Sequence, residues 1–180
     1  LTGKRVLESG PGIISHYPYW KGRPAEYVLV DTQEEMLEAS SAVLKNLNIS
    51  FKKIKATDVT VLEMLENESF DLIVTFNSLE HLYPLSKFLA LYSKLLKPGG
   101  EFVGSVPAEG GIAWGLGRFL TTRRWFHKNT TIDPDKIICW EHPNFAPQII
   151  SELSKCLTEV KLSFWPLKIA ILDINLTVSF

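Results

Sequence analysis

The sequence predicts an α/β fold built on a mostly parallel sheet with helices on both faces, and three observations predict it. Short apolar runs over 5–9, 27–31 and 70–76 end in glycine turns or acidic residues, as buried parallel strands do. Stretches of helical periodicity lie between such runs. Two stretches near the carboxyl end, 158–164 and 175–180, alternate apolar and polar residues as an antiparallel edge pair closing the sheet does.

Arg5-Val6-Leu7-Glu8-Ser9 is the first strand and runs into Gly10-Pro11-Gly12. The crossover from Ile13 to Pro24 holds Pro18, Gly22 and Pro24, which predict a short or irregular helix. Tyr27-Val28-Leu29-Val30-Asp31 is the second strand. Thr32 is placed to cap the next helix, where Gln33, Glu34 and Glu35 suit the first turn and Met36, Leu37, Ala39, Val43, Leu44 and Leu47 form an apolar face. A weaker strand at 51–56 precedes Thr57-Asp58 and a short helix around Val61 to Leu65. Phe70 to Phe76 is the clearest buried strand. Pro84 opens a helix bearing Leu85, Phe88, Leu89, Leu91, Leu95 and Leu96, which Lys97-Pro98-Gly99-Gly100 stops, and Glu101 to Val106 is the fifth strand. The stretch from Pro107 to Pro147 is too long for a routine connection. Gln148 to Cys156 returns to helix.

Bulk composition excludes several classes. With 19 basic and 20 acidic side chains in 180 residues, the net charge of −1 provides no field to gather a polyanion, so an obligatory nucleic-acid partner is not expected. No apolar run reaches the roughly eighteen residues of a transmembrane span. Cys139 and Cys156 form no CxxC pair, which suits a reducing, cytoplasmic setting and offers no metal framework. Leu1-Thr2-Gly3-Lys4 reads as the interior of a longer chain lacking its native amino-terminal segment.

In an open α/β sheet, ligands collect beyond the carboxyl ends of the strands where strand order reverses. Glu8, Asp31, Asp58, Asn77 and Ser78 stand there, with Gly10 and Gly12 in the first turn. Glycines allow close backbone approach, and an acid 23 residues after Glu8 suits two ribose hydroxyls. A nicotinamide dinucleotide would use the same crevice, but its G-x-G-x-x-G signature fails at Ser15.

With these residues in place, the chain resembles the class I S-adenosylmethionine-dependent methyltransferases, in particular the type 11 small-molecule enzymes. Val6-Leu7-Glu8-Ser9-Gly10-Pro11-Gly12 resembles the first family motif, Asp31 the ribose-binding acid, Thr57-Asp58-Val59 the adenine segment, FDLIVTFNSLEHL over 70–82 the fourth-strand motif, and LLKPGG over 95–100 the signature before the fifth strand. The resemblance implies a single Rossmann-like domain over 1–180 with a seven-stranded sheet and an acceptor-side insertion over 108–145. It implies S-adenosylmethionine as cofactor, no metal, and a small-molecule acceptor. Glu8, Ser9, Gly10 and Gly12 would border the methionine moiety, Asp31 the ribose, Thr32 to Met36 the adenosine, and Thr57, Asp58 and Val59 the adenine, with an Asn77 carbonyl facing the methionine amine and Ser78 also in the donor site. Two departures stand out. Ile14 takes the place of a third glycine, where it is expected to narrow the room beside the methionine portion, and His16-Tyr17-Pro18-Tyr19-Trp20 replaces a smooth helix.

A hydroxyl acceptor must release a proton. His81 is the first candidate base, since an imidazole titrates at about 6.5 and this one follows the fourth strand; Glu80 is the second. In the 108–145 stretch, Gly110 and Gly111 offer freedom, Trp114 and Phe119 apolar contact, and Arg118, Arg123 and Arg124 charge for an acidic or phosphorylated acceptor. His127 and His142 lack partners for zinc. Glu141-His142-Pro143-Asn144-Phe145 resembles a segment of methyltransferases acting in sugar and lipopolysaccharide pathways, which implies a sugar or related metabolite hydroxyl. The alternative is a non-catalytic donor-binding or protein-interaction domain that kept the sheet.

Overall fold

The computed structural model describes residues 1–180. Its strands are β1 (Arg5–Ser9), β2 (Glu26–Asp31), β3 (Phe51–Lys55), β4 (Phe70–Phe76), β5 (Leu96–Pro107), β6 (Ser163–Trp165) and β7 (Thr177–Ser179). The helices are α1 (Glu34–Asn46), α2 (Leu85–Leu95), α3 (Ile112–Arg118), α4 (Arg124–Asn129), α5 (Pro134–Glu141) and α6 (Ala146–Cys156). The seven strands form one mostly parallel sheet in the order β3-β2-β1-β4-β5-β7-β6. β7 runs antiparallel to both β5 and β6, so it is the one reversed strand that closes the sheet. The predicted edge pair is therefore present, although each strand is shorter than its alternating stretch.

The chain divides into two compact units, Leu1–Ser78 with Lys87–Gly104, and Leu79–Ser86 with Ser105–Phe180. In the first, β1 lies between β2 and β4 and pairs in parallel with both, Glu8 opposite Leu29 on one side and Val74 on the other. A strand flanked on both sides buries both faces, which is why 6–9 carries no exposed residue. Val6 and Leu7 are fully buried, each contributing about 1.5–3 kcal/mol. Leu37 and Leu44 of α1 join Val6, Ile14, Tyr27 and Leu29 in one apolar cluster.

Two local readings are corrected and a third is met. Thr32 does not cap α1. The cap position is Gln33, and the Asp31 carboxylate turns back to accept the Gln33 amide at 2.9 Å. The strand expected at 101–106 starts at Leu96, because the LLKPGG segment is drawn into β5 with Gly99 at φ +76°. The irregular crossover holds a single 3₁₀ turn, Tyr17–Tyr19, with Pro18 in its first turn.

In the second unit, α6 buries Ala146, Ile149 and Leu153, a one-sided helical stripe. Much of the long 107–147 stretch is helical, with a π turn over Phe119–Arg123 joining α3 to α4. No helix is long and apolar enough to cross a membrane.

Candidate active site

In the first unit the chain leaves β1 at Ser9 and takes left-handed backbone at Gly10 (φ +68°), Gly12 (φ +54°) and Ile14 (φ +48°). The Gly10 amide donates to Val30 O at 2.9 Å. A Cβ on Gly10 would come within 2.5 Å of Ser78 Cβ, whereas Gly12 has open space around it. Ser78 Oγ donates to Ser9 O at 3.0 Å and accepts from Thr75 Oγ1 at 2.6 Å, and the buried Tyr92 hydroxyl donates to Ser9 Oγ at 2.7 Å. The glycine turn and the end of β4 are thus fastened together. Asn77, beside Ser78, is exposed and left-handed at φ +50°.

Glu8 is buried and its carboxylate is fully engaged. Tyr27 Oη donates to Oε2 at 2.6 Å. Trp20 Nε1 donates to His16 Nδ1 at 2.8 Å, which leaves the His16 proton on Nε2, where it is given to Glu8 Oε1 at 2.8 Å. Trp20 stacks on Tyr27 at 5.1 Å between ring centroids, and His16 meets Phe76 edge-on at 5.0 Å. Burial and the neighbouring Glu8 charge push the Tyr27 phenol well above its ordinary range. The aromatic crossover that interrupts the helix is therefore what holds Glu8.

Ile14 differs from its sequence reading. Its side chain is fully buried in the apolar cluster with Val6, Tyr27 and Leu29, so it turns into the core and does not narrow the glycine turn. A β-branched residue at positive φ is strained, and burial of the side chain offsets that cost.

Asp31 ends β2 half-buried, with Oδ1 on the Gln33 amide. Thr32 is exposed and Met36 is half-buried on the first turn of α1. Thr57 and Asp58 are exposed and Val59 half-buried; Asp58 caps the 3₁₀ turn Val59–Met64 by accepting the Thr60 amide at 2.8 Å. The Thr60 hydroxyl and amide hold the Asp58 carboxyl below its usual range.

The second unit holds the candidate bases. His81 is exposed, and its Nδ1 lies 2.9 Å from Glu141 O. A carbonyl only accepts, so Nδ1 carries the proton and Nε2 the lone pair. Glu80 is buried at 3% exposure, and its Oε2 has no hydrogen-bond partner. Burial raises its carboxyl above the usual range, aided by Glu109 and opposed by the two histidines.

Sequence reasoning missed two residues here. Glu109, buried just past β5, sits with both carboxylate oxygens 2.7 Å from His142 Nδ1. Asn144, also buried, donates from Nδ2 to Leu79 O at 3.0 Å and Leu82 O at 2.6 Å, while its amide reaches Glu80 O at 3.3 Å. The rings of His81 and His142 meet edge-to-face at 4.4 Å. The available signal was the Glu-His-Pro-Asn segment, whose His142 and Asn144 bind back to Glu109 and to the 79–82 turn.

Further corrections concern the 108–145 stretch. Arg118 and Arg123 already pair with Asp135, at 3.2 Å and 2.8 Å, so neither is a free anion ligand. Gly111 provides close packing and not freedom, since a Cβ there would lie 2.9 Å from Leu172 O. Phe119 and Leu120 line a groove of about 470 Å³ with exposed Arg124, His127 and Lys128.

A methyltransferase domain family model matches residues 7–104, from within β1 to within β5. The chain belongs to the class I S-adenosylmethionine-dependent methyltransferases. The matched segment of this methyltransferase contains the glycine turn, Asp31, Asp58 and the 77–81 segment. The ubiquinone biosynthesis O-methyltransferase of Pasteurella multocida (strain Pm70) is 30% identical over 124 residues, 64% of this chain and 51% of the relative. The chain thus spans about half the length of that curated relative. A methyltransferase structure from Mesorhizobium loti superposes with a TM-score of 0.60 at 18% identity, covering 99% of this chain and 90% of that one. The Haemonchus contortus phosphoethanolamine N-methyltransferase 2, solved with S-adenosyl-L-methionine, gives 0.62 at 17% identity over 91% of this chain and 35% of its own. These two structures share the fold.

Proposed function

We propose that this methyltransferase moves a methyl group from S-adenosylmethionine to a hydroxyl of a small-molecule acceptor. The observation that carries the reading is the glycine turn. Gly12 is left-handed with nothing within 4 Å of its Cβ position, and Asp31 stands half-exposed at the end of the neighbouring strand. An open backbone cradle beside a carboxylate fits an amino-acid moiety joined to a ribose. Glu8, Ser9, Gly10 and Gly12 would border the methionine portion, with an Asn77 carbonyl at the amine and Ser78 beside it. Asp31 would take the ribose hydroxyls, Thr32 and Met36 the adenosine, and Thr57, Asp58 and Val59 the adenine.

S-adenosylmethionine supplies a methyl on a sulfonium; transfer to a hydroxyl oxygen breaks the sulfur–methyl bond, leaves its electron pair on sulfur, and frees one proton. The chain's part is to position the reactants, exclude water and accept that proton. His81 with its Nε2 lone pair, and the His142 ring against it, are the groups suited to accept it; Glu80, buried with its Oε2 unpartnered, is less so. The oxygen acceptor is supported by the O-methyltransferase relative, and a sugar or related metabolite by the 141–145 segment. Cys139, which is exposed, and Cys156 form no disulfide, which favours a reducing compartment such as the cytoplasm.

A specific observation favours the second reading, a non-catalytic donor-binding or protein-interaction domain. Both Glu8 oxygens are already bound by His16 and Tyr27, so the carboxylate is committed to the fold. Calorimetric titration of the full-length protein with S-adenosylmethionine and, separately, NAD in metal-free buffer tests the reading. Saturable binding of the first alone is expected. Binding without turnover on any of a panel of hydroxyl and amine acceptors would favour the second reading, and binding of neither would overturn the donor assignment.

A further inference from the structure

We infer that Glu109 and His142 form a general-base dyad, with His142 Nε2 receiving the acceptor's hydroxyl proton and Glu109 positioning the ring. The inference rests on the methyl-transfer reading and decides which of the two histidines does the work. A carboxylate cannot donate, so with both Glu109 oxygens 2.7 Å from His142 Nδ1 a proton sits on Nδ1, and in the neutral ring the lone pair is on Nε2. His81 has the same tautomer, but its Nδ1 faces only the neutral Glu141 carbonyl and its ring is exposed. The difference appears when the ring becomes a cation. An imidazolium at His142 would meet a buried carboxylate in a charge-assisted bond, roughly twice as strong as the neutral one at His81.

The surroundings also hold His142 still. Its backbone amide closes α5 on Ile138 O at 2.8 Å. The edge-to-face contact with His81 sets the ring plane from one side, and Asn144, two residues on, is tied to the 79–82 turn by its side chain and amide. Three interactions thus fix an imidazole whose one remaining function is the Nε2 lone pair. Glu109 is only 6% exposed, so its carboxylate meets the ring where little water competes for the bond.

The dyad also narrows the acceptor class. A carboxylate acceptor has no proton to lose, and an amine presents its lone pair once solvent has taken its proton. A hydroxyl sheds its proton as the new oxygen–carbon bond forms, so it is the acceptor for which a positioned base matters most. In the balanced step the oxygen lone pair forms the bond to carbon. The hydroxyl proton passes to His142 Nε2, and the resulting imidazolium donates its Nδ1–H to the Glu109 carboxylate until solvent takes the Nε2 proton.

The test uses the full-length protein in three measurements. Nitrogen-15 spectra of the histidines in the wild type should show His142 with Nδ1 protonated and Nε2 bare; the opposite tautomer overturns the dyad whatever the acceptor. With catechol and methyl β-D-glucopyranoside as hydroxyl probes, Glu109→Gln and His142→Gln should each lower kcat by about 100-fold. The S-adenosylmethionine Kd should stay within about two-fold, a split that loss of folding would not give. His81→Gln should lose less than about ten-fold on the same probes. A kcat within two-fold of wild type in the Glu109 or His142 variant overturns the inference, as does methylation of an amine probe with both hydroxyl probes refused. Calorimetry separates the layers: failure of the wild type to bind S-adenosylmethionine removes the methyl-transfer reading, while the tautomer still decides the pair.

Discussion

Tyr27 donates its hydroxyl proton to Glu8 Oε2 at 2.6 Å, between two side chains that are both buried. The carboxylate has only His16 as its other side-chain donor. Tyr27→Phe should therefore lower stability by about 1.5–3 kcal/mol, the range for a hydrogen bond to a charged group. A thermal denaturation midpoint unchanged from wild type would show that the pair does not hold the turn.

Asp31 separates donor binding from folding. Asp31→Asn keeps an acceptor for the Gln33 amide and loses the charge, so S-adenosylmethionine affinity should drop about 10- to 100-fold with little change in stability. Asp31→Ala also removes that acceptor and should cost about 1 kcal/mol more of stability. Titration calorimetry beside thermal melts reads both, and unchanged affinity in either variant removes Asp31 from the donor site.

Glu80 makes stability depend on pH in a defined sense. Its folded carboxyl titrates above the unfolded one, so across the interval between the two the folded chain binds more protons. Stability is fully present below the ordinary carboxyl range and declines as pH rises through the folded value. Glu80→Gln removes the charge and should flatten that decline, gaining on the order of 1 kcal/mol at pH 8 and little at pH 4. Parallel melts that keep the same offset at both pH values would contradict this origin.

Asn144 is the fastener of the second unit. Asn144→Ala leaves the Leu79 and Leu82 carbonyls without their side-chain donor in a buried setting, at about 1–3 kcal/mol. Hydrogen exchange should quicken across residues 79–82. Protection equal to wild type there would show that the turn stands without it.

The sheet was legible because its strands are short, apolar and bounded by turns, and Phe70–Phe76 ends where its pattern ends. The donor residues were legible because an open sheet gathers them at strand ends, and position along a strand is readable one residue at a time. What was hidden depends on partners distant in sequence. Nothing near Ile14 says that its side chain enters the core, and nothing near Arg123 says that Asp135 will neutralise it. Glu109 and His142 are 33 residues apart, so a pairing that matters chemically left no local periodicity. Even so, His16 and Trp20 were visible as an oddity of the crossover, and the oddity marked the network on Glu8.

The two glycines of the first turn leave different room for sequence drift. Gly10 is closed by its neighbour as well as by its backbone, because any side chain there must displace Ser78, so a library of substitutions should return none that keep the turn. Gly12 has empty space and is closed only by its left-handed angle, which Asn and Asp adopt more readily than other residues. A saturation screen read by donor binding should therefore find a narrow door at position 12 and a wall at position 10.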